Sequence, residues 1–331
     1  TSEPVTDAAN DPGQHPWPPE RLRPLFLLDP AIHFLNHGSF GACPRPVFEA
    51  LQRWQLELER NPVEFLGRRS AGLLEQARAA LAAEISASAQ DLIFIPNATT
   101  GVNIVARSIR LSSGDEVLAT DHEYGACDVT WQRVCAERGA HYRRAEIPLP
   151  LDASRFVEHL MAEVTANTRL LFVSHITSTT ALIFPIAELC AAARARGIRV
   201  LVDGAHAPGH IPLDLRSLGA NFYTGTSWGY AAEVHGHSGF DAYTGRTTLE
   251  RRLQWQGTRD LAAWLAVPAA LEFLRAHRWD LIRRESHDRA VALMHRLCTR
   301  FGRAPIGGDA DFGQMVPIPV PHQDGAALRA A

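Results

Sequence analysis

Residues 198–209 read Ile-Arg-Val-Leu-Val-Asp-Gly-Ala-His-Ala-Pro-Gly, and this stretch decides the fold. Its apolar, β-branched beginning is typical of a strand that is buried on both faces of a parallel sheet. Asp203 then lies at the carboxyl end of that strand, which is the edge where open α/β sheets bind their ligands. A carboxylate there is costly unless a cation or hydrogen-bond donors meet it, such as a protonated pyridine nitrogen, an arginine or a metal. The alternative is an Asp that only caps the next turn.

Strands and helices alternate on both sides of this stretch. The pattern predicts strands at 92–95, 116–119, 169–174, 198–202 and 221–223. It predicts helices at 44–60, 70–85, 100–109, 125–138, 187–196, 261–277 and 279–301. Such alternation indicates βαβ units and therefore an α/β fold with a mostly parallel sheet.

The length of 331 residues allows one large α/β domain and a smaller one. We expect a flexible N-terminal arm over 1–25 and a large domain over 26–275. Residues 276–331 are expected to begin a smaller C-terminal α+β domain that is truncated here, with a last strand at 315–321.

Composition excludes several classes of function. The net charge of −3 gives no reason to expect nucleic acid or a membrane surface as partner, and no apolar run approaches the roughly 20 residues that span a bilayer. Five cysteines without a C-x-x-C pair argue against a disulfide framework and against a metal site. A cytoplasmic enzyme or binding protein fits best. All 33 basic residues are arginine, because the chain contains no lysine.

Three further strand ends carry polar side chains. Asn97-Ala-Thr-Thr-Gly lies between a strand and a helix, where free N–H groups and the helix dipole favour a phosphate, although an ordinary threonine N-cap is the alternative. Asp121-His-Glu-Tyr-Gly offers a ring that can stack on a planar ligand, or a solvated turn histidine. Ser174-His-Ile-Thr-Ser-Thr offers hydroxyls. These ends converge with Asp203 at one edge of a doubly wound sheet, which predicts a binding site.

These residues resemble the class V aminotransferase family of pyridoxal-phosphate (PLP) enzymes, most closely its isopenicillin N epimerase-like branch. The resemblance covers residues 34–273. Its most specific motifs are Phe34-Leu-Asn-His-Gly-Ser-Phe-Gly, Asn97-Ala-Thr-Thr-Gly, Asp121-His-Glu-Tyr, Val202-Asp-Gly-Ala-His-Ala-Pro-Gly and Gln256-Gly-Thr-Arg-Asp. It implies the fold type I architecture, PLP as cofactor and a homodimer.

The resemblance also implies roles at the cofactor. Thr99 and Thr100 would bind the phosphate, and His122 would stack on the pyridine ring, with Tyr124 as the other candidate. Asp203 would keep the pyridine nitrogen protonated.

Further roles follow from the same resemblance. His206 and Ser178 would lie near the ring hydroxyl, and Thr258, with Gly257, would reach the phosphate of the partner subunit's cofactor. The candidates for contact with the substrate are Asn36, His37 and Arg259. Arg259 is suited to bind a carboxylate, and the alternative is a salt bridge at a helix start.

The chain departs from the family at one point. The family carries a lysine that binds the cofactor as a Schiff base and moves the Cα proton, and this lysine is expected after Gly225 and Thr226. Here Phe222-Tyr-Thr-Gly-Thr runs directly into Ser227-Trp-Gly-Tyr, and arginine cannot supply a neutral amine. Either the sequence omits a segment between Thr224 and Trp228 or the deletion is genuine. The first is favoured, because deleting a central strand would leave unpaired backbone.

The expected function is a PLP-dependent reaction at the Cα of an amino-acid or peptide substrate, most specifically epimerisation like that of isopenicillin N. It requires an acid on each side of the Cα plane, and the sequence does not identify the second one. A β-lyase, cysteine desulfurase or aminotransferase is the alternative enzyme. The alternative of another class is a catalytically inactive protein that keeps the PLP fold, since the chain contains no lysine.

Overall fold

A computed structural model describes residues 18–232, 247–254, 257–318 and 320. Its strands are β1 Leu92–Phe94, β2 Glu116–Thr120, β3 His141–Ala145, β4 Thr168–Ser174, β5 Arg199–Asp203, β6 Phe222–Thr224 and β7 Trp228–Ala231. They form one sheet in the order β1-β7-β6-β5-β4-β2-β3. The strands from β2 to β6 are parallel, and β7 is antiparallel to both of its neighbours. The predicted mostly parallel sheet is confirmed.

Helices surround this sheet. They are α1 Pro19–Leu22, α2 Arg45–Arg60, α3 Pro62–Glu64, α4 Ser70–Glu84, α5 Ala98–Ser108, α6 Gly125–Arg138, α7 Ala153–Ala162, α8 Ile186–Ala195, α9 Leu215–Leu218, α10 Thr248–Leu253, α11 Ala262–Leu265, α12 Val267–Ala276 and α13 Trp279–Phe301. A π-helical turn, Phe65–Arg69, leads into α4. No helix among the described residues is long and apolar enough to cross a membrane.

Both faces of the sheet are covered, which explains the apolar run in β5. Val200 and Val202 point into a core that includes residues of α4, α7 and α8. Leu201 points to the opposite face, into a core with residues of α5 and α6. Because successive strand residues face opposite sides, a strand covered on both sides must be apolar at every position.

The connection from β6 to β7 is a tight hairpin. Thr224 pairs with Gly229, and the Gly225 N–H donates to the Trp228 carbonyl at 2.8 Å. β7 pairs with β6 on one side and with β1 on the other. The omission of a segment between Thr224 and Trp228 from the sequence stays a prediction.

Other elements differ from the sequence predictions for physical reasons. The strand β3 was not predicted, because it lies at the edge of the sheet and reads His-Tyr-Arg-Arg-Ala, without an apolar run. The predicted helix at 261–277 is divided into α11 and α12 at Ala266, two residues before Pro268. Residues 315–318 form no strand, so the prediction for 315–321 is wrong there; residues 319 and 321 lie outside the described part.

Candidate active site

The site is organised around Asp203, the buried last residue of β5. Its Oδ1 accepts a hydrogen bond from the Ala205 N–H at 3.0 Å and lies 3.5 Å from the Thr224 hydroxyl. Its Oδ2 lies 3.7 Å from the Cys127 thiol. None of these three donors carries a charge, so burial raises the pKa of the Asp203 carboxyl. Asp203 does cap its own turn, and it also presents a second oxygen for which a cation would be the best partner.

Two glycines near Asp203 allow close packing under the turn. A Cβ on Gly204 would lie 2.1 Å from the ring of Tyr223, which is fully buried and stacked on Trp228. A Cβ on Gly225 would lie 2.3 Å from the Trp228 ring. These contacts hold the turn after β5 and the β6–β7 hairpin against each other.

The N-terminus of α5 forms the second end of the site. Asn97 caps it, and its Oδ1 accepts bonds from the Thr100 N–H at 2.8 Å and from the Thr100 hydroxyl at 3.0 Å. Burial raises the pKa of the Cys127 thiol, and the nearby Thr99 hydroxyl opposes that shift; the same thiol lies 3.7 Å from the Asp203 carboxylate. One thiol is therefore close to both ends, so Asp203 and Thr99 lie within the span of one small molecule. A helix N-terminus favours an anion at that distance.

His122 follows β2 and is buried. Its Nδ1 lies 2.9 Å from the Thr180 hydroxyl, and its ring meets Phe184 edge to face at 6.0 Å. The structure thus joins the second and third predicted strand ends through His122 and Thr180. Tyr124, the other stacking candidate, is 48% exposed at the start of α6.

His206 and Ser178 lie in different surroundings. His206 is half-buried three residues after Asp203; burial lowers its pKa, and the negative charge of Asp203 opposes that shift. Ser178 is exposed in a turn whose hydrogen bonds are made by its neighbours, with the Thr177 and Thr180 hydroxyls 2.7 Å apart.

Sequence reasoning missed Glu123. This side chain is buried and accepts hydrogen bonds of 2.6 Å from the hydroxyls of Thr120 and Ser174. Ser174 is the β4 residue paired with Asp203 on β5. Burial raises the pKa of Glu123 to about 8, and the neighbouring Asp203 charge acts in the same direction. The site therefore contains two buried acids, of which Glu123 is mostly neutral at pH 7.

The predicted substrate residues Asn36 and His37 are exposed and shape a turn. The Asn36 side-chain oxygen accepts the Ser39 N–H at 3.2 Å, and His37 Nδ1 accepts the Ala42 N–H at 3.4 Å. Next to them Leu35 is 89% exposed. Their role toward a substrate stays a prediction.

The segment after α10 carries the remaining candidates. Gly257 has a φ of +90°, which favours glycine, and Thr258 is exposed. The Arg259 guanidinium lies 4.0 Å from the centre of the Trp264 ring and donates to the Gln254 carbonyl at 3.4 Å. Asp260, rather than Arg259, accepts a hydrogen bond at the start of the next helix, from the Ala262 N–H at 2.8 Å. The roles of Thr258 and Arg259 also stay predictions.

PLP can be held through its pyridine nitrogen, its phosphate and its carbonyl group. The described residues fit the first two of these groups. Asp203 offers a buried, cation-free carboxylate for a pyridine nitrogen, and the N-terminus of α5 offers N–H groups and dipole for a phosphate. The chain provides no lysine for the carbonyl group. No group of three or more His, Cys, Asp or Glu residues with metal-binding geometry occurs in the described ranges.

Comparison with known proteins agrees with this geometry. The family model Aminotransferase class-V matches residues 36–228. Isopenicillin N epimerase of Streptomyces clavuligerus is 37% identical, with 94% of this chain and 86% of that protein covered. A putative L-cysteine desulfhydrase 1 of Oryza sativa subsp. japonica is 29% identical, with 87% and 67% covered. A lysine-to-alanine mutant of C-DES with glycine covalently linked to its PLP cofactor has a TM-score of 0.72 at 23% identity, with 84% and 80% covered.

The alignment with the Streptomyces epimerase spans 352 positions, which is more than the 331 residues of this chain. That relative therefore has residues without a counterpart here. The family model covers more than half of the chain, and the epimerase is similar along nearly all of it. The chain accordingly belongs to the class V aminotransferase family of PLP-dependent enzymes and has their fold type I architecture.

Proposed function

We propose that this chain binds PLP between Asp203 and the N-terminus of α5 and acts at the Cα of an amino-acid moiety. The reaction we propose is epimerisation of a substrate similar to isopenicillin N, as in the Streptomyces relative. The observation that carries the proposal is the buried Asp203 carboxylate, whose hydrogen-bond donors among the described residues are all uncharged and include the Cys127 thiol that lies near Thr99.

Each residue has a distinct part in holding the ligand. Asp203 accepts a hydrogen bond from the protonated ring nitrogen and keeps that nitrogen protonated, because a buried carboxylate gains most from a cationic donor. Thr99 and Thr100 hold the phosphate at the helix N-terminus, and His122 covers one face of the ring. His206 and Ser178 lie toward the ring hydroxyl. When bound, PLP supplies an electron sink for the pair of electrons left on Cα after deprotonation.

The substrate side and the assembly complete the proposal. Asn36, His37 and Arg259 would contact the amino-acid substrate, with the guanidinium on its carboxylate. Gly257 and Thr258 would reach the phosphate bound by a second copy of the chain, which makes the protein a homodimer. The cysteines Cys43, Cys127, Cys135, Cys190 and Cys298 are all free, which supports a cytoplasmic location.

Two other functions are each favoured by one observation. The desulfhydrase relative favours a β-lyase or desulfurase, although Cys127 and Cys298 are buried and neither is a mobile thiol. The missing lysine favours a protein that binds PLP without turnover.

PLP titration tests the shared part of these proposals. We expect saturable binding by equilibrium dialysis and a change in PLP absorbance, both weakened in Asp203→Ala. A chain that binds no PLP contradicts the proposed function. Incubation of the loaded protein with amino acids and peptides then separates the three functions by racemisation, by release of sulfide or pyruvate, or by neither.

A further inference from the structure

The hairpin between β6 and β7 occupies the position where the family's lysine is expected. It consists of Gly225, Thr226 and Ser227 and is closed by the bond from Gly225 to Trp228. β7 then fills the sheet between β6 and β1. Each of the seven strands thus has a neighbour in the sheet, and the hairpin contains no lysine.

We infer that this chain holds PLP by noncovalent contacts alone, so that the carbonyl group of the cofactor stays free and PLP exchanges with the solution. This inference rests on the proposed function. Covalent attachment of PLP requires a neutral amine, which arginine does not provide at working pH. The thiol nearest to Asp203 is Cys127, and burial and the Asp203 charge raise its pKa far above the usual range, which keeps it protonated.

The structure also indicates where an amine would restore attachment. The Thr226 hydroxyl donates to the Ala205 carbonyl at 2.9 Å, and the Ala205 N–H donates to Asp203 at 3.0 Å. Thr226 is exposed, so a longer side chain at this position is not blocked by the core. Position 226 therefore lies beside the turn that carries Asp203 and His206, and a lysine there begins at the site itself.

The experiment compares four forms of the full chain: wild type, Thr226→Lys, Thr226→Met and Arg133→Lys. Thr226→Met removes the same hydroxyl without adding an amine. Arg133→Lys adds one lysine on α6, about two turns from Cys127, where the side chain is 72% exposed. Each protein is equilibrated with PLP, treated with borohydride, dialysed and weighed by intact mass spectrometry; untreated samples are dialysed and assayed for retained PLP.

We expect wild type and Thr226→Met to bind PLP, to lose it fully on dialysis, and to carry no pyridoxyl phosphate on any side chain after borohydride. The α-amino group at the start of the chain is a reactive amine in all four proteins, so peptide mapping locates each label and sets that site aside. In Thr226→Lys the amine adds to the carbonyl carbon, water leaves, and borohydride reduces the new carbon–nitrogen double bond, so close to one pyridoxyl phosphate per chain remains. Arg133→Lys should retain far less than Thr226→Lys.

Three outcomes overturn the inference. The first is a wild-type chain that keeps pyridoxyl phosphate on a side chain after reduction, and the second is bound PLP that resists dialysis. The third is a Thr226→Lys protein labelled no more than Arg133→Lys. These are distinct from failure of the proposed function, in which wild type binds no PLP before any borohydride is added.

Discussion

Asp203 illustrates how burial assigns a chemical role to a single residue. Its carboxylate is surrounded by a backbone N–H, a hydroxyl and a thiol, and burial raises its pKa because none of these donors carries a full positive charge. A cationic donor that enters gains a charge-assisted bond in a weakly screened environment. The same residue therefore costs stability in the empty protein and contributes affinity in the loaded one.

Because of this double role, the variant Asp203→Asn should lower the affinity for PLP without lowering the stability of the empty protein. We expect the affinity for PLP to fall on the order of tenfold to a hundredfold, because the ring nitrogen loses its anionic partner. The free energy of unfolding without PLP should be unchanged or higher, because no charge is buried. Dialysis and urea unfolding measure the two quantities. Equal PLP affinity in the variant would contradict the assignment of Asp203.

Glu123 predicts a pH dependence of stability. In the unfolded chain its carboxyl ionises near its ordinary pKa of 4.5, whereas burial raises the pKa in the folded protein to about 8. Between these values the folded state binds more protons than the unfolded state, so stability falls as pH rises. The contribution of Glu123 is complete below pH 4.5 and is lost as the pH passes through about 8.

The matched variant is Glu123→Gln, which keeps an oxygen for the hydroxyls of Thr120 and Ser174 but does not titrate. Relative to this variant, the wild-type free energy of unfolding should fall by on the order of 4 kcal/mol from pH 4.5 to pH 8. Urea unfolding at several pH values measures it. Parallel curves for the two proteins would mean that burial does not shift the pKa of Glu123.

At the scale of elements, the β6–β7 hairpin connects the two strands directly, at the position where the family's lysine is expected. Its turn is tight because Gly225 lies directly against the Trp228 ring, which in turn stacks on Tyr223. The second hairpin glycine, Gly229, has more space around it, because a Cβ there would lie 3.6 Å from the nearest atom, on Ile95.

These two glycines form a matched pair for mutation. Gly225→Ala should lower the free energy of unfolding by about 1–3 kcal/mol, since its Cβ would overlap the Trp228 ring and overpacking costs this much. Gly229→Ala should change it by less than about 1 kcal/mol, because the added methyl meets only ordinary contacts. Equal effects of the two substitutions in urea unfolding would count against the hairpin as described.

At the scale of the whole molecule, the sequence predicted the elements whose positions follow from the local pattern of apolar residues. The buried strands β2, β4 and β5 have continuous apolar runs, and the helices α6 and α13 were predicted with the bounds that the structure has. The polar edge strand β3 has no such run. Glu123 was missed because its burial depends on Thr120 and Ser174, which lie on two different strands. The second hairpin strand, β7, was missed because it is only four residues long and contains Gly229, which weakens the strand pattern.

Ligand binding should also be visible in the stability of the whole chain. A ligand that binds only the folded state adds about 2.7 kcal/mol at a free concentration of one hundred times its Kd. We expect PLP to raise the melting temperature of wild type, and to raise it much less for Asp203→Asn at the same concentration. Differential scanning calorimetry measures both. Equal increases in the two proteins would indicate that PLP binds elsewhere.

Because the Cys127 thiol contacts Asp203, its S–H vibration can report the state of the Asp203 carboxylate. The S–H stretching vibration absorbs in an infrared window that is otherwise nearly empty in proteins, and its frequency responds to the strength of the acceptor. A difference spectrum against Cys127→Ser isolates this one thiol from the other cysteines. The band then reports directly whether its carboxylate neighbour is charged, protonated or engaged by a newly arrived cation, without any label being attached.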